Sequence, residues 1–150
     1  MSDAPFLEQL QTIVGQSCSR AQRFKQVAES IAFERNYRWV GLYAVSKTQI
    51  AMIACTGQTP PAFPAFPATQ GLCGASVAER QIVNIGDVQN DPRWLTTFGS
   101  TRSEIIVPVF RPEGGVVGLI DVESDQLNAF STDDERFLSS CAPLLLSLFP

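Results

Sequence analysis

Two sets of residues in this chain could do chemistry. Cys73 lies between glycines in GLCGASV (71–77), just after a proline-rich run. Glu104 in SEIIVPVF, and Asp121 and Glu123 in VVGLIDVES, are carboxylates set in otherwise apolar stretches. The 150 residues contain no histidine, which removes the usual general base, the Ser–His and Cys–His nucleophile pairs and the commonest metal ligand. Chemistry here must rest on cysteine and carboxylates.

The two acidic stretches read as strands joined by a turn at PEGG (112–115). If that turn is centred between Glu113 and Gly114, partner numbers across the antiparallel ladder sum to 227, which sets Glu104 opposite Glu123. Side chains alternate faces, so Asp121 shares the face of Glu123, and three carboxylates converge. A one-residue slip or a bulge would break the convergence. One reading is structural: the acids sit at exposed strand ends or pair with arginines such as Arg93 and Arg102. The other is functional. Carboxylates crowded in a poorly solvated pocket cannot all stay charged, so one becomes a proton donor near neutrality and the others can hold an ammonium.

Cys73 also has two readings. Glycines suit a tight entry into a helix, and oriented backbone N–H groups at a helix start favour a thiolate. Three nearby acids disfavour it, so the residues point to a small buried side chain where backbones approach closely. Cys18 and Cys141 are expected on apolar helical faces in the core. None of the four cysteines forms a CxxC pair, which argues against zinc and against a disulfide framework.

The remaining elements must position these groups. Phe6, Leu7, Leu10, Ile13 and Val14 recur at helical spacing, as do Phe24, Val27, Ala28 and Ile31 after a polar break at 16–20. YRWVGLYAV (37–45) and QIAMIAC (49–55) read as a hairpin around SKT. The PAFPAFPA repeat within 56–71 excludes helix and a central strand, and is expected to lie across the sheet as a loop with no strand to join. GASVAER should be a short helix and QIVNI a strand, followed by an irregular segment over 86–102. STDDERFLSSCAPLLLSLF should close the chain as a helix capped at Ser131 and kinked or stopped at Pro143. Trp39 and Tyr43, four apart on one strand, should share a face with the acids and line one cavity. Hairpins and short connections predict an α+β fold: helices packed on an antiparallel sheet.

Length and a 45% hydrophobic content suit one globular domain over 1–150. A net charge of -4 offers no basic patch for nucleic acid or an acidic membrane surface. No run approaches a membrane span and no signal peptide is evident, so a cytoplasmic, reduced protein with a small-molecule or protein partner is expected.

Taken in order and spacing, WVGLY, GLCGASV, SEIIVPV and GLIDVES resemble a GAF domain, and more narrowly the free methionine-(R)-sulfoxide reductase branch, over roughly residues 20–148. The resemblance implies a six-stranded antiparallel sheet between helices, a homodimer, no cofactor, and a pocket for free methionine (R)-sulfoxide formed by Trp39, Tyr43, Glu104, Asp121 and Glu123. That branch has three active-site cysteines, of which only Cys73 has a counterpart here. The other two would fall near Phe63 and Thr97. Reduction of a sulfoxide by thiol needs a second thiol to resolve the oxidised cysteine, so the internal disulfide cycle is missing unless Cys55 substitutes. Bilin attachment is disfavoured without histidine. Phe130, Asp134 and Glu135 match only half of a cyclic-nucleotide motif and equally suit the start of the last helix. Three functions follow from the resemblance: a module that binds an amino-acid-like ligand and senses or buffers it, a reductase using Cys73 with an external thiol, or a dimeric interaction module.

Overall fold

In the computed structural model, which describes residues 2–150, local sequence signals set where each helix begins and ends. Helix α1 (Ala4–Val14) carries Pro5 in its first turn, where no backbone N–H is needed, and buries Phe6, Leu10 and Ile13. Helix α2 (Arg20–Arg35) starts at a reciprocal capping box between Ser19 and Gln22 and stops at Asn36, which takes the left-handed conformation at φ 54°. Its inward stripe is Phe24, Val27, Ala28 and Ile31.

Two strands follow, β1 (Trp39–Val45) and β2 (Gln49–Cys55), then a short β3 (Ala65–Pro67) and helix α3 (Gly71–Glu79). Strands β4 (Val83–Ile85), β5 (Ser103–Phe110) and β6 (Val116–Ser124) complete one six-stranded sheet of order β3-β2-β1-β6-β5-β4, antiparallel at every pairing. The closing helix α4 (Thr132–Cys141) has a second capping box, Ser131 with Asp134, and passes into a 3₁₀ segment (Ala142–Leu148) that carries Pro143. Asp134 thus has a structural role, and Phe130 is core. No helix among the described residues is long and apolar enough to cross a membrane.

Both faces of the sheet are covered, which explains why β5 and β6 are near-continuous apolar runs instead of alternating ones. Val40, Leu42, Ile105, Val107, Ile120 and Val122 point toward α1, α2, α4 and the 3₁₀ segment. The opposite face presents Trp39, Tyr43, Ile50, Ile106 and Leu119 to α3 and the loops around it. Each fully buried aliphatic side chain contributes roughly 1.5–3 kcal/mol. The larger cluster fixes the sheet, while the smaller one surrounds the acids.

Two expectations need correction. The proline-rich stretch is not strand-free: Ala65, Phe66 and Pro67 pair with Ala51, Ile50 and Gln49 as the edge strand β3. An edge position tolerates proline because one side of the strand makes no ladder bonds. Cys18 is not in the core of a helix. It is half-buried in the bend between α1 and α2, its thiol 3.8 Å from Gln16 Oε1. Cys141 is fully buried, as expected.

Candidate functional site

The carboxylate register is the one that a sum of 227 requires. Glu104 of β5 pairs with Glu123 of β6, and Asp121 lies between Ile106 on one side and Gly41 of β1 on the other. A register shift does occur near the turn, between Val109 and Phe110, and so leaves the acids in phase. One oxygen from each of Glu104, Asp121 and Glu123 lies within 4.8 Å of the others. All three residues are at most 3% exposed.

The arginines go elsewhere. Arg93 forks onto Asp91 at 2.9 Å, and Arg102 bonds to Gln89, so neither neutralises the cluster. A hydroxyl supports it: Thr101 Oγ1 donates to Glu123 Oε1 at 2.9 Å, and the Thr97 hydroxyl also helps to hold the Glu123 carboxyl down. Asp121 Oδ1 and Glu123 Oε2 are buried with no donor facing them. Burial pushes the Glu104, Asp121 and Glu123 carboxyls up, and their mutual repulsion adds to this for Glu104 and Asp121. Glu123 is held back by the bonds that it accepts, and a proton on Asp121 supplies one of them. The arrangement is one carboxylate supported by hydroxyls beside acids that retain protons.

A cavity opens beside Glu104 and Asp121. It encloses about 310 Å³ counting its open mouth, yet its enclosed part has room for about one or two water molecules. Tyr43 forms one wall, with Phe66 packed against it at 6.1 Å between ring centres. Phe63 and Phe66 come from the proline-rich stretch, Phe66 from its edge strand β3, and both line the cavity. Attachments of the stretch include Ala62 N–H donating to Thr97 O at 3.0 Å and Met52 N–H to Pro64 O at 2.7 Å. Leu95, Thr96 and Thr97 close the other side.

Helix α3 completes the site. It begins at Gly71, before the GASV residues, so Cys73 is the third residue of its first turn. The first intrahelical bond is from Gly74 to Gln70, which leaves the amides of Gly71, Leu72 and Cys73 unused by the helix at the cavity edge. A Cβ on Gly74 would stand 2.6 Å from the Thr69 carbonyl carbon, so only glycine lets α3 fold back this closely.

Cys73 is 6% exposed and lines the cavity. The helix start favours its thiolate by about 0.3–1 kcal/mol. Burial opposes this, and so do Asp121, Glu104 and Glu123, pushing the thiol well above its usual range. The opposing effects win, and the resting thiol is protonated. Cys55, at the end of β2, is half-buried and does not line the cavity. Phe63 and Thr97, the positions matched to the missing cysteines, do line it.

Trp39 shares the face of Tyr43 and the acids, but its ring lines the adjoining groove with Glu123, Thr101 and Phe98. Phe98 meets it edge-on at 5.4 Å. The indole lies over Gly41, where a Cβ would overlap its outer ring. Trp39 and Glu123 therefore line this groove and not the cavity in which they were expected. The sequence reading did not identify Phe66, Leu95, Thr96 or Thr101. Phe66 is brought in by the edge strand β3, and Leu95, Thr96 and Thr101 by loop packing, which leaves no periodic signal.

The profile of the GAF domain family matches residues 8–146. The chain is 27% identical over 139 residues to GAF domain-containing protein A of Dictyostelium discoideum, covering 93% of this chain and 87% of the relative. It superposes with a TM-score of 0.76 and 34% identity on a type II free methionine-R-sulfoxide reductase from Thermoplasma acidophilum, covering 93% and 97% of the two chains. The free methionine-R-sulfoxide reductase of Neisseria meningitidis, solved in complex with its substrate, gives a TM-score of 0.85 at 26% identity over 95% and 85%.

Proposed function

Because the chain belongs to the GAF domain family, we propose that its cavity binds a small zwitterionic ligand of the amino-acid type, with free methionine (R)-sulfoxide the first candidate. The observation that carries this reading is the pairing of opposite polarities in one enclosed space. Glu104 and Asp121 stand on one wall, and the unused amides of the α3 first turn stand on another. Carboxylates suit an ammonium, and helix-start amides suit a carboxylate. Tyr43, Phe63, Phe66 and Leu72 offer apolar contact to a thioether-like side chain. The relatives named as free methionine-R-sulfoxide reductases support the choice of ligand. A methionine-sized ligand does not fit the closed space, so the loop carrying Phe63 and Phe66 must yield on entry.

A second reading is favoured by the place of Cys73 in the same cavity. Its sulfur would attack the sulfoxide sulfur to form an S–S bond as the S–O bond breaks and the protonated oxygen leaves as water; water would then attack the Cys73 sulfur, breaking the S–S bond to release the thioether and leave Cys73 as a sulfenic acid. A protonated Glu104 or Asp121 would protonate the sulfoxide oxygen, and two equivalents of an external thiol would return Cys73 to thiol with release of water and a disulfide. No cysteine stands at 63 or 97 to do this internally. The same proposal includes assembly as a homodimer, which light scattering of the purified chain tests.

Calorimetry with free methionine (R)-sulfoxide, followed by a turnover assay with dithiothreitol, separates the readings. Binding without turnover supports the binding module. Turnover abolished in Cys73→Ser supports the external-thiol reductase, and the absence of both refutes each.

A further inference from the structure

Among the residues lining the cavity there is no lysine and no arginine, although the chain has 11 of them. The titratable groups that face the space are Tyr43 from β1, Cys73 from α3, Glu104 from β5 and Asp121 from β6, with Glu123 behind Asp121. The lid and the 95–97 segment add only aromatic, aliphatic and hydroxyl groups. Every charge that this space can develop is negative. Asp121, 2% exposed, has Oδ1 without a donor, and Glu123 Oε2 is in the same condition. Buried acceptors of this kind are costly unless a proton or a ligand N–H meets them.

The two ends of the site differ in strength. At one end a ligand meets ionisable oxygens in a medium that screens poorly. At the other it meets only the partial charge of a nine-residue helix, and a ligand carboxylate there also feels repulsion from the acids. The ammonium end must dominate recognition.

We propose that the ligand is held by its ammonium group in exchange for a proton of the Glu104–Asp121–Glu123 cluster, so that the cavity accepts short alkylammonium ions that carry no carboxylate. This rests on the amino-acid-type reading of the same cavity and narrows it. The exchange balances: the cation enters, one carboxylic acid ionises to meet it, and its proton leaves to the buffer. Charge inside the cavity is unchanged, which removes the chief cost of bringing an ion into a buried space. Aromatic rings of Tyr43, Phe63 and Phe66 around the same space suit a cation as well as an apolar tail.

The test is titration calorimetry of the full chain with three probes: free methionine (R)-sulfoxide, its decarboxylated amine, and its N-acetyl derivative, which keeps the carboxylate but lacks the ammonium. Each titration is run in phosphate and in MOPS, whose protonation heats differ and neither of which supplies a primary ammonium. The amine should bind within about tenfold of the amino acid, the N-acetyl derivative at least about a hundredfold more weakly, and each bound ammonium should expel about one proton. Asp121→Asn should lower both affinity and proton release, and the wild-type buffer dependence gives the answer even if that variant does not fold. An amino acid that binds while its amine does not, equal binding of the N-acetyl derivative, or binding heats identical in the two buffers would each overturn the exchange while leaving the cavity's ligand class standing. Failure of all three probes to bind would overturn that class and the exchange together.

Discussion

Glu104 stands directly across the ladder from Glu123, both buried, with Asp121 beside them and no basic partner among the described residues. Like charges so placed keep protons that they would lose in the unfolded chain. Their folded pKa values are raised, so the stability that they contribute is fully present below the ordinary carboxylate range of about 4 and is lost as pH rises through the folded values. We expect unfolding free energy to fall by up to about 1.4 kcal/mol per pH unit for each proton held, as followed by thermal melts from about pH 5 to about pH 8. Glu104→Gln should flatten this slope. A melting temperature that rises steadily over that range would contradict the proton count.

The aspartates paired with arginine act in the other direction. Hydrogen bonds from Arg93 hold Asp91 low; burial is the largest single effect on Asp3 and pushes it up, but the Arg136 and Arg35 guanidiniums together outweigh it, and the same two arginines hold Asp133 low. Their contributions are lost only as pH falls below the ordinary range, and that of Asp133 is small because it is exposed. The stability maximum is therefore expected in mildly acidic solution.

Gly41 is expected to be intolerant. A Cβ there would stand 2.9 Å from Trp39 Cζ3 and closer still to Cη2, and the indole is held by Phe98. Gly41→Ala should cost about 1–3 kcal/mol and shift the tryptophan emission, because the indole that lines the groove must move. An unchanged spectrum and melt would show that the indole relaxes freely.

Cysteine alkylation should follow burial and charge. Cys18 and Cys55 are half-buried, whereas Cys73 and Cys141 are buried and both thiols are pushed up, Cys141 to about 12. Timed labelling with iodoacetamide at neutral pH, read by peptide mass spectrometry, should modify the first pair before the second. Early modification of Cys73 would indicate an activated thiolate and favour the reductase.

Much of the site was legible because strand geometry is so constrained. The PEGG turn and two apolar runs place Glu104, Asp121 and Glu123 on one face, and the period of two leaves little freedom. Tyr43 was legible for the same reason. Three features were not. Strand β3 is hidden because proline suppresses the β signal, although an edge accepts it. Cys18 was expected on an apolar helical face, but α1 ends at Val14 and α2 begins at Arg20, so it falls in the bend between them. Thr101 and Leu95 reach the site through loop packing at long sequence separation, which no local pattern encodes.

Thioredoxin-coupled turnover should be weak. Oxidised Cys73 has no cysteine at 63 or 97, and Cys55 lies outside the cavity. Robust reduction of free methionine (R)-sulfoxide with thioredoxin as the only reductant, undiminished in Cys55→Ser, would require a resolving route absent from this arrangement.

The central claim is that the buried acids hold the ligand. Its most direct test is titration calorimetry of free methionine (R)-sulfoxide against the wild-type chain and the Glu104→Gln/Asp121→Asn double variant, with circular dichroism confirming that both are folded. We expect saturable binding by the wild type and a loss of at least about a hundredfold in the double variant, since each charge-assisted bond is worth about 1.5–3 kcal/mol. Equal affinity in the folded double variant would contradict the claim.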